Sequence, residues 1–197
     1  MRRHRKAEIS RKTKETDISL RLDLDGSGNP SIRTAIPFFD HMLTLLSHHS
    51  GIDLFVKAKG DIGVDAHHTV EDVGICLGEG IRKALGEMKG IQRYGASLLP
   101  MDETLVSVAL DLSMRPFLVF HVKLKRLRVG NFDLELVEEF FKALSNHARM
   151  TLHINFSYGR NSHHIVEAVF KGVGRALRQA VSLDDRFSQV PSTKGVL

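Results

Sequence analysis

Apolar and polar residues alternate with a period of two over Lys6–Thr13 and again over Thr16–Leu24, which predicts two strands. The cluster Asp25-Gly26-Ser27-Gly28-Asn29 predicts a turn, and Ser31–Ile36 a short third strand. The period then lengthens. Phe38, Met42, Leu45 and Leu46 share one helical face behind Pro37, and Gly51 closes that helix. A strand over Ile52–Lys59 and a helix from about His67 to Leu85 follow. After Pro100 the order resumes, with strands over Thr104–Leu112 and Phe117–Leu124. A helix over Leu134–His147, a strand over Met150–Tyr158 and a helix over Ser162–Val181 complete it. Residues 183–197, with Pro191 and Gly195, predict an irregular tail.

The recurring order reflects an internal duplication. His67-His68-Thr69-Val70-Glu71-Asp72-Val73 resembles His163-His164-Ile165-Val166-Glu167-Ala168-Val169 at an offset of 96. The segment from Phe38 to His49 aligns with that from Leu136 to His147 at an offset of 98, so Asp40 meets Glu138, His41 meets Glu139 and His49 meets His147. The expected fold is α+β: a two-layer α/β sandwich made from two β-β-β-α-β-α half-domains. Residues 1–92 form one half, 93–182 the other, and 183–197 the tail. Each sheet is expected to carry helices on one face and to turn the other toward its twin.

Composition narrows the class. The chain has 197 residues, 42% hydrophobic and 26% charged, which suits one or two ordinary globular domains with a core large enough to dispense with disulfides. Collagen-like, disordered and disulfide-rich classes are excluded. No run of 18 apolar residues predicts a membrane span, and no apolar segment follows the basic start as in a secretory signal. One cysteine, Cys76, fits a reducing cytoplasm. The net charge of +5 is local: residues 1–14 hold seven basic residues and one acid, while the remaining 21 basic and 22 acidic residues nearly cancel. With no tryptophan and two tyrosines, the body offers neither the basic stripe nor the stacking platforms of a nucleic-acid binder.

Histidine is over-used, with eleven residues, including His48-His49, His67-His68 and His163-His164. His4 reads as tail, and His48, His121 and His153 as packed or edge residues. On a helix, residues four apart share a face, so His67 with Glu71, and His163 with Glu167, can each grip one ion. His68 and His164 point about 100° away, toward a different ion. The two motifs offer six ligands, and the preceding helices can add His41 and Glu139. Mixed imidazole and carboxylate donors without thiolate suit manganese, iron or zinc, and six-coordination favours manganese. A non-catalytic metal-binding module remains an alternative, as does a nucleic-acid- or phosphoprotein-binding domain. Metal uptake without turnover would mark the first, and salt-sensitive binding that survives chelation the second.

The blocks Phe38-Phe39-Asp40-His41-Met42-Leu43, Asp65-Ala66-His67-His68-Thr69-Val70-Glu71-Asp72 and Asn161-Ser162-His163-His164-Ile165-Val166-Glu167-Ala168 resemble the imidazoleglycerol-phosphate dehydratase family of histidine biosynthesis. Met101-Asp102-Glu103, Thr151-Leu152-His153 and Pro191-Ser192-Thr193-Lys194-Gly195 extend the resemblance, which runs from about Lys6 to the end of the chain.

That resemblance implies a cytoplasmic lyase with a duplicated fold like ribosomal protein S5 domain 2. The enzyme would convert D-erythro-imidazole-glycerol phosphate to imidazole-acetol phosphate with two manganese ions per subunit. It implies one ion on His41, His68, His163 and Glu167, and another on His67, Glu71, His164 and Glu139, where a common form of the family has histidine at the last position. The same resemblance implies a 24-subunit homo-oligomer with sites between subunits. Glu15 is the implied acid/base, with Glu71 and Glu167 as further catalytic carboxylates. The implied substrate contacts are Glu15, His41, His49, His67, Glu71 and His163, with Arg93, Arg115, Lys171, Ser192, Thr193 and Lys194 around the phosphate. His49, Arg93 and the Asp102-Glu103 pair are expected to support the site from behind the ligands. No nucleic-acid or membrane partner is expected.

Overall fold

The computed structural model describes residues 5–184, 186 and 188–195. Arg2, Arg3 and His4, read above as basic start and tail, lie outside the described residues. The first half runs β1 (Lys6–Lys12), β2 (Thr16–Asp23), β3 (Pro30–Arg33), α1 (Pro37–Ser50), β4 (Asp53–Gly60) and α2 (His67–Leu85). The second runs β5 (Tyr94–Met101), β6 (Thr104–Asp111), β7 (Phe117–His121), a two-stranded excursion β8 (Arg128–Val129) and β9 (Phe132–Asp133), then α3 (Leu136–Ala148), β10 (Thr151–Tyr158) and α4 (Ser162–Val181). The sheet orders are β1-β2-β4-β3 and β5-β6-β10-β7. In both, the third strand of the half pairs parallel to the fourth.

The strand β5 has no counterpart in the hydrophobic pattern. Gly95 and Pro100 mask its alternation, and β5 can hold Pro100 because it lies at a sheet edge, where a missing N–H is tolerated. The hairpin β8–β9 is likewise too short to show a period.

The halves meet through helices. α2 packs on β1 and β2 of its own sheet and against α3, while α4 packs on β5 and β6 and against α1. Each helix therefore needs two apolar stripes. On α4, Val166, Val169, Phe170, Val173 and Leu177 are buried at helical spacing. Phe39, Phe140, Phe141 and Phe170 are 0–1% exposed and join the halves; the Phe39–Phe140 and Phe140–Phe170 ring centroids lie 5.3 and 5.4 Å apart. Each such ring contributes roughly 1.5–3 kcal/mol by burial.

Close helix contact requires small residues. A Cβ at Gly78 would meet the Ala148 nitrogen at 2.7 Å and the Leu144 carbonyl at 2.8 Å, and one at Gly74 would meet the Phe140 carbonyl at 2.8 Å. These glycines set the α2–α3 separation and so fix where the helix N-termini stand. Cys76 belongs to the same packing: burial pushes its thiol up to about 12.

The expectation that each sheet turns its free face toward its twin is corrected here. Alternation shows which face of a strand is apolar, but not that the helices carry enough apolar surface to join the halves. The outward faces are open, with Leu98 67% and Phe117 61% exposed. His153, on central strand β10, is exposed rather than packed, while His121 is exposed at the end of edge strand β7.

Candidate active site

Both His-His motifs open a helix. Asp65 Oδ1 accepts the His67 N–H at 2.8 Å, and Asn161 Oδ1 accepts the His163 N–H at 3.0 Å. A short polar residue two positions ahead thus satisfies a backbone N–H that the helix leaves open, and fixes the histidines in the first turn. Asp40 anchors the start of α1, accepting the Thr34 N–H at 2.8 Å and the Thr34 hydroxyl at 2.5 Å. That sets the rotation of α1 and places His41 toward α4.

The packing of α1 on α4 brings His41, His163 and Glu167 together. Glu167 Oε2 lies 3.1 Å from His163 Nε2 and 3.6 Å from His41 Nε2. One donor atom from each of the three lies within 4.8 Å of the others, the one such group found among the described residues. Glu167 is 8% exposed, and Lys171 Nζ reaches its other oxygen at 2.5 Å. Burial raises the Glu167 carboxyl, but Lys171, then His163 and His41, outweigh it and hold the group below its ordinary range. His49, further along α1, is held low by burial and then by the Lys171 charge. The neighbourhood therefore favours an ionised Glu167 carboxylate, the form in which it can bind a divalent cation.

The equivalent first-half group is looser. His67 Nε2 stands 3.9 Å from Glu71 Oε2, both side chains being over 40% exposed. Glu139, on α3, pairs with Lys142 at 3.4 Å. Neither His68 nor His164 joins these groups within the single chain. His68 Nδ1 lies 3.0 Å from Asp61 Oδ2, and His164 Nδ1 lies 2.8 Å from Glu103 Oε2. Each carboxylate hydrogen bond raises its histidine, and His164 with the Asn161 and Arg160 N–H groups holds Glu103 well below the carboxylate range. Glu15 lies in the turn between β1 and β2, with Oε1 3.9 Å from His68 Nε2. That turn is tied to α2 by the Thr16 hydroxyl, which donates to Asp72 at 2.5 Å.

The expected phosphate contacts divide. Arg93, Arg115, Ser192, Thr193 and Lys194 line one groove of about 1170 Å³ together with Arg149. Arg93 spends its donors on Asp111, at 2.6 and 3.1 Å, and on the Pro191 carbonyl at 2.8 Å, so it fastens the tail over the groove. Arg115 and Lys194 leave cations at its edge. Lys171 stands apart, on Glu167.

Asp61 and Arg149 are absent from the sequence-derived set. Asp61 directly follows β4, six residues ahead of His67, and only the course of the loop brings it to His68. Arg149 is the left-handed C-cap of α3, with φ of 55°, and reads as an ordinary surface arginine.

Comparison with known proteins gives one consistent result. Residues 34–177 match the family model described as imidazoleglycerol-phosphate dehydratase. The chain is 60% identical to the imidazoleglycerol-phosphate dehydratase of Acetivibrio thermocellus over 193 residues, covering 98% of this chain and 99% of that one. It is 56% identical to that of Syntrophus aciditrophicus over 194 residues, covering 98% of each. Among solved structures, the Staphylococcus aureus imidazoleglycerol-phosphate dehydratase superposes with a TM-score of 0.83 at 40% identity, covering 91% of this chain and 99% of that one. The Pyrococcus furiosus protein in complex with (S)-C348 gives 0.84 at 40% identity, covering 96% and 100%.

Proposed function

Since the chain belongs to the imidazoleglycerol-phosphate dehydratase family, and is thus an enzyme of histidine biosynthesis, we propose that it is a cytoplasmic, manganese-dependent hydro-lyase. It converts D-erythro-imidazole-glycerol phosphate to imidazole-acetol phosphate and water. The observation that carries the metal dependence is the convergence of His41, His163 and Glu167. Two imidazoles and a buried carboxylate, drawn from both halves of the duplication, fit a borderline-hard divalent cation.

In this reading one ion takes His41, His68, His163 and Glu167, and the other His67, Glu71, His164 and Glu139. His68 and His164 stand away from the clusters of their own chain, which supports a homo-oligomer, 24 subunits in the family pattern, whose sites close between copies. Manganese bound there would draw electron density from the imidazole ring and the neighbouring hydroxyl, making the carbon-bound proton next to the ring removable. The protein's own groups do the rest. Glu15 accepts and returns protons from an exposed turn position. Glu71 and Glu167 present carboxylates beside the ring, while His41, His49, His67 and His163 pack around it. Arg115, Ser192, Thr193 and Lys194 hold the phosphate, arginine through its fork of donors and lysine as a point charge, while Lys171 stays on Glu167. Arg93 keeps the tail in place. Among the described residues no helix is long and apolar enough to cross a membrane.

Incubation of the purified protein with the phosphorylated substrate and manganese tests this reading. Imidazole-acetol phosphate should accumulate, and the dephosphorylated triol should turn over far more slowly because the cationic groove has nothing to hold. Equal rates on both would remove the groove from substrate recognition.

A further inference from the structure

The duplication assigns each half a turn glutamate, and the structure uses the two differently. Thr16 opens β2 and Thr104 opens β6, each 3% exposed or less, and Glu15 and Glu103 immediately precede them. His68 and His164 correspond in the same way, each the second residue of its motif. Equal use would set each glutamate on its own histidine. Instead Glu103 Oε2 lies 2.8 Å from His164 Nδ1 while its Oε1 accepts the Arg160 and Asn161 N–H groups at 3.1 and 2.8 Å. The first half fills this role from another element. Asp61 brings both oxygens to His68 Nδ1, at 3.0 and 3.2 Å, and Glu15 is left over half exposed on the Nε2 side, 3.9 Å away.

The cause lies in the loops after β4 and β10. Gly60 pairs opposite Thr16, and Asp61 follows it. Tyr158 pairs opposite Leu105 after a bulge, so Gly159 and then Arg160 fall at the corresponding places. The second half thus has no carboxylate at this point of its loop, and its turn glutamate takes the work.

We infer that Asp61 and Glu103 are positioning residues that hold His68 and His164 by Nδ1, and that capture of His68 by Asp61 is what leaves Glu15 free to move protons. An ionised carboxylate can only accept, so Nδ1 must carry the hydrogen. The Nε2 lone pair is then turned outward, where a metal ion can use it, with raised basicity. Glu15, on the Nε2 side, stands where substrate would lie; Glu103, on the Nδ1 side, stands behind its ligand. This rests on reading His68 and His164 as ligands and Glu15 as the acid/base.

The test reads the ring nitrogen-15 shifts of His68 and His164 in metal-free protein, then manganese affinity by calorimetry, in Asp61→Ala, Glu103→Ala, Asp61→Asn, Glu103→Gln and Glu15→Gln. Asp61→Ala should release the Nδ1–H tautomer of His68 alone, and Glu103→Ala that of His164 alone. Each should weaken manganese by about 10–100-fold. Asp61→Asn keeps an acceptor oxygen facing Nδ1, so it should restore the tautomer and part of the affinity. The one acceptor oxygen of Glu103→Gln cannot serve both Nδ1–H and the Arg160 and Asn161 N–H groups, so that variant should restore less. Glu15→Gln should move neither readout. Unchanged tautomers in both alanine variants, or a shift of both histidines in every variant, would overturn the inference. Failure of the unsubstituted protein to bind manganese would instead overturn the metal reading, with the tautomers still deciding the positioning roles.

Discussion

Glu15→Gln is expected to keep its manganese and lose about 10²–10⁴-fold in turnover, the usual contribution of a general acid or base. The glutamate's surroundings support the separation. It lies outside both His-His-Glu motifs, its side chain is 54% exposed, and its nearest histidine nitrogen is 3.9 Å away on a ring whose other nitrogen Asp61 already holds. Nothing in that arrangement bears weight in the fold. A surface charge with no chemical role would cost little, so near-normal turnover in Glu15→Gln would remove it from the reaction. Loss of metal in the same variant would place it in the coordination shell. Metal content and turnover measured on one preparation separate these outcomes.

Glu167→Gln should behave in the opposite way, losing manganese and turnover together. Glu167 is 8% exposed and sits at the meeting point of His41, His163 and Lys171. An amide keeps the shape but supplies no anion, and Lys171 loses the charge that holds its ammonium at 2.5 Å. Glu71→Gln should show the same coupled loss, since Glu71 shares a helix face with His67. A Glu167→Gln protein that retains its full metal complement would show that the carboxylate is there to hold Lys171 rather than an ion.

Much of this arrangement is legible in the chain. α2 and α4 are bounded as their patterns predict, His67–Leu85 and Ser162–Val181, because each couples a long apolar stripe to an abrupt histidine start. The duplication also identifies His41 and Glu139 as counterparts, and the structure puts their helices against α4 and α2 in turn. What the pattern does not carry is contact across the fold. Asp61 meets His68 because β4 ends beside the start of α2, and no spacing rule expresses that. The unequal fates of Glu15 and Glu103 are invisible in their local sequences, since they depend on Asp61 having no acidic counterpart after β10. The edge strand β5 is hidden by Gly95 and Pro100, residues that an edge tolerates and a pattern penalises. Glu139 is placed on the expected helix, yet in the single chain its carboxylate faces Lys142.

The paired His-His-Glu motifs are expected to make the dehydratase metal-dependent. Manganese content and turnover of imidazoleglycerol phosphate, followed together through chelation and readdition, test it most directly. The expected result is about two ions per chain, loss of turnover as they leave, and recovery best with manganese. Full turnover by protein shown to be metal-free would contradict it.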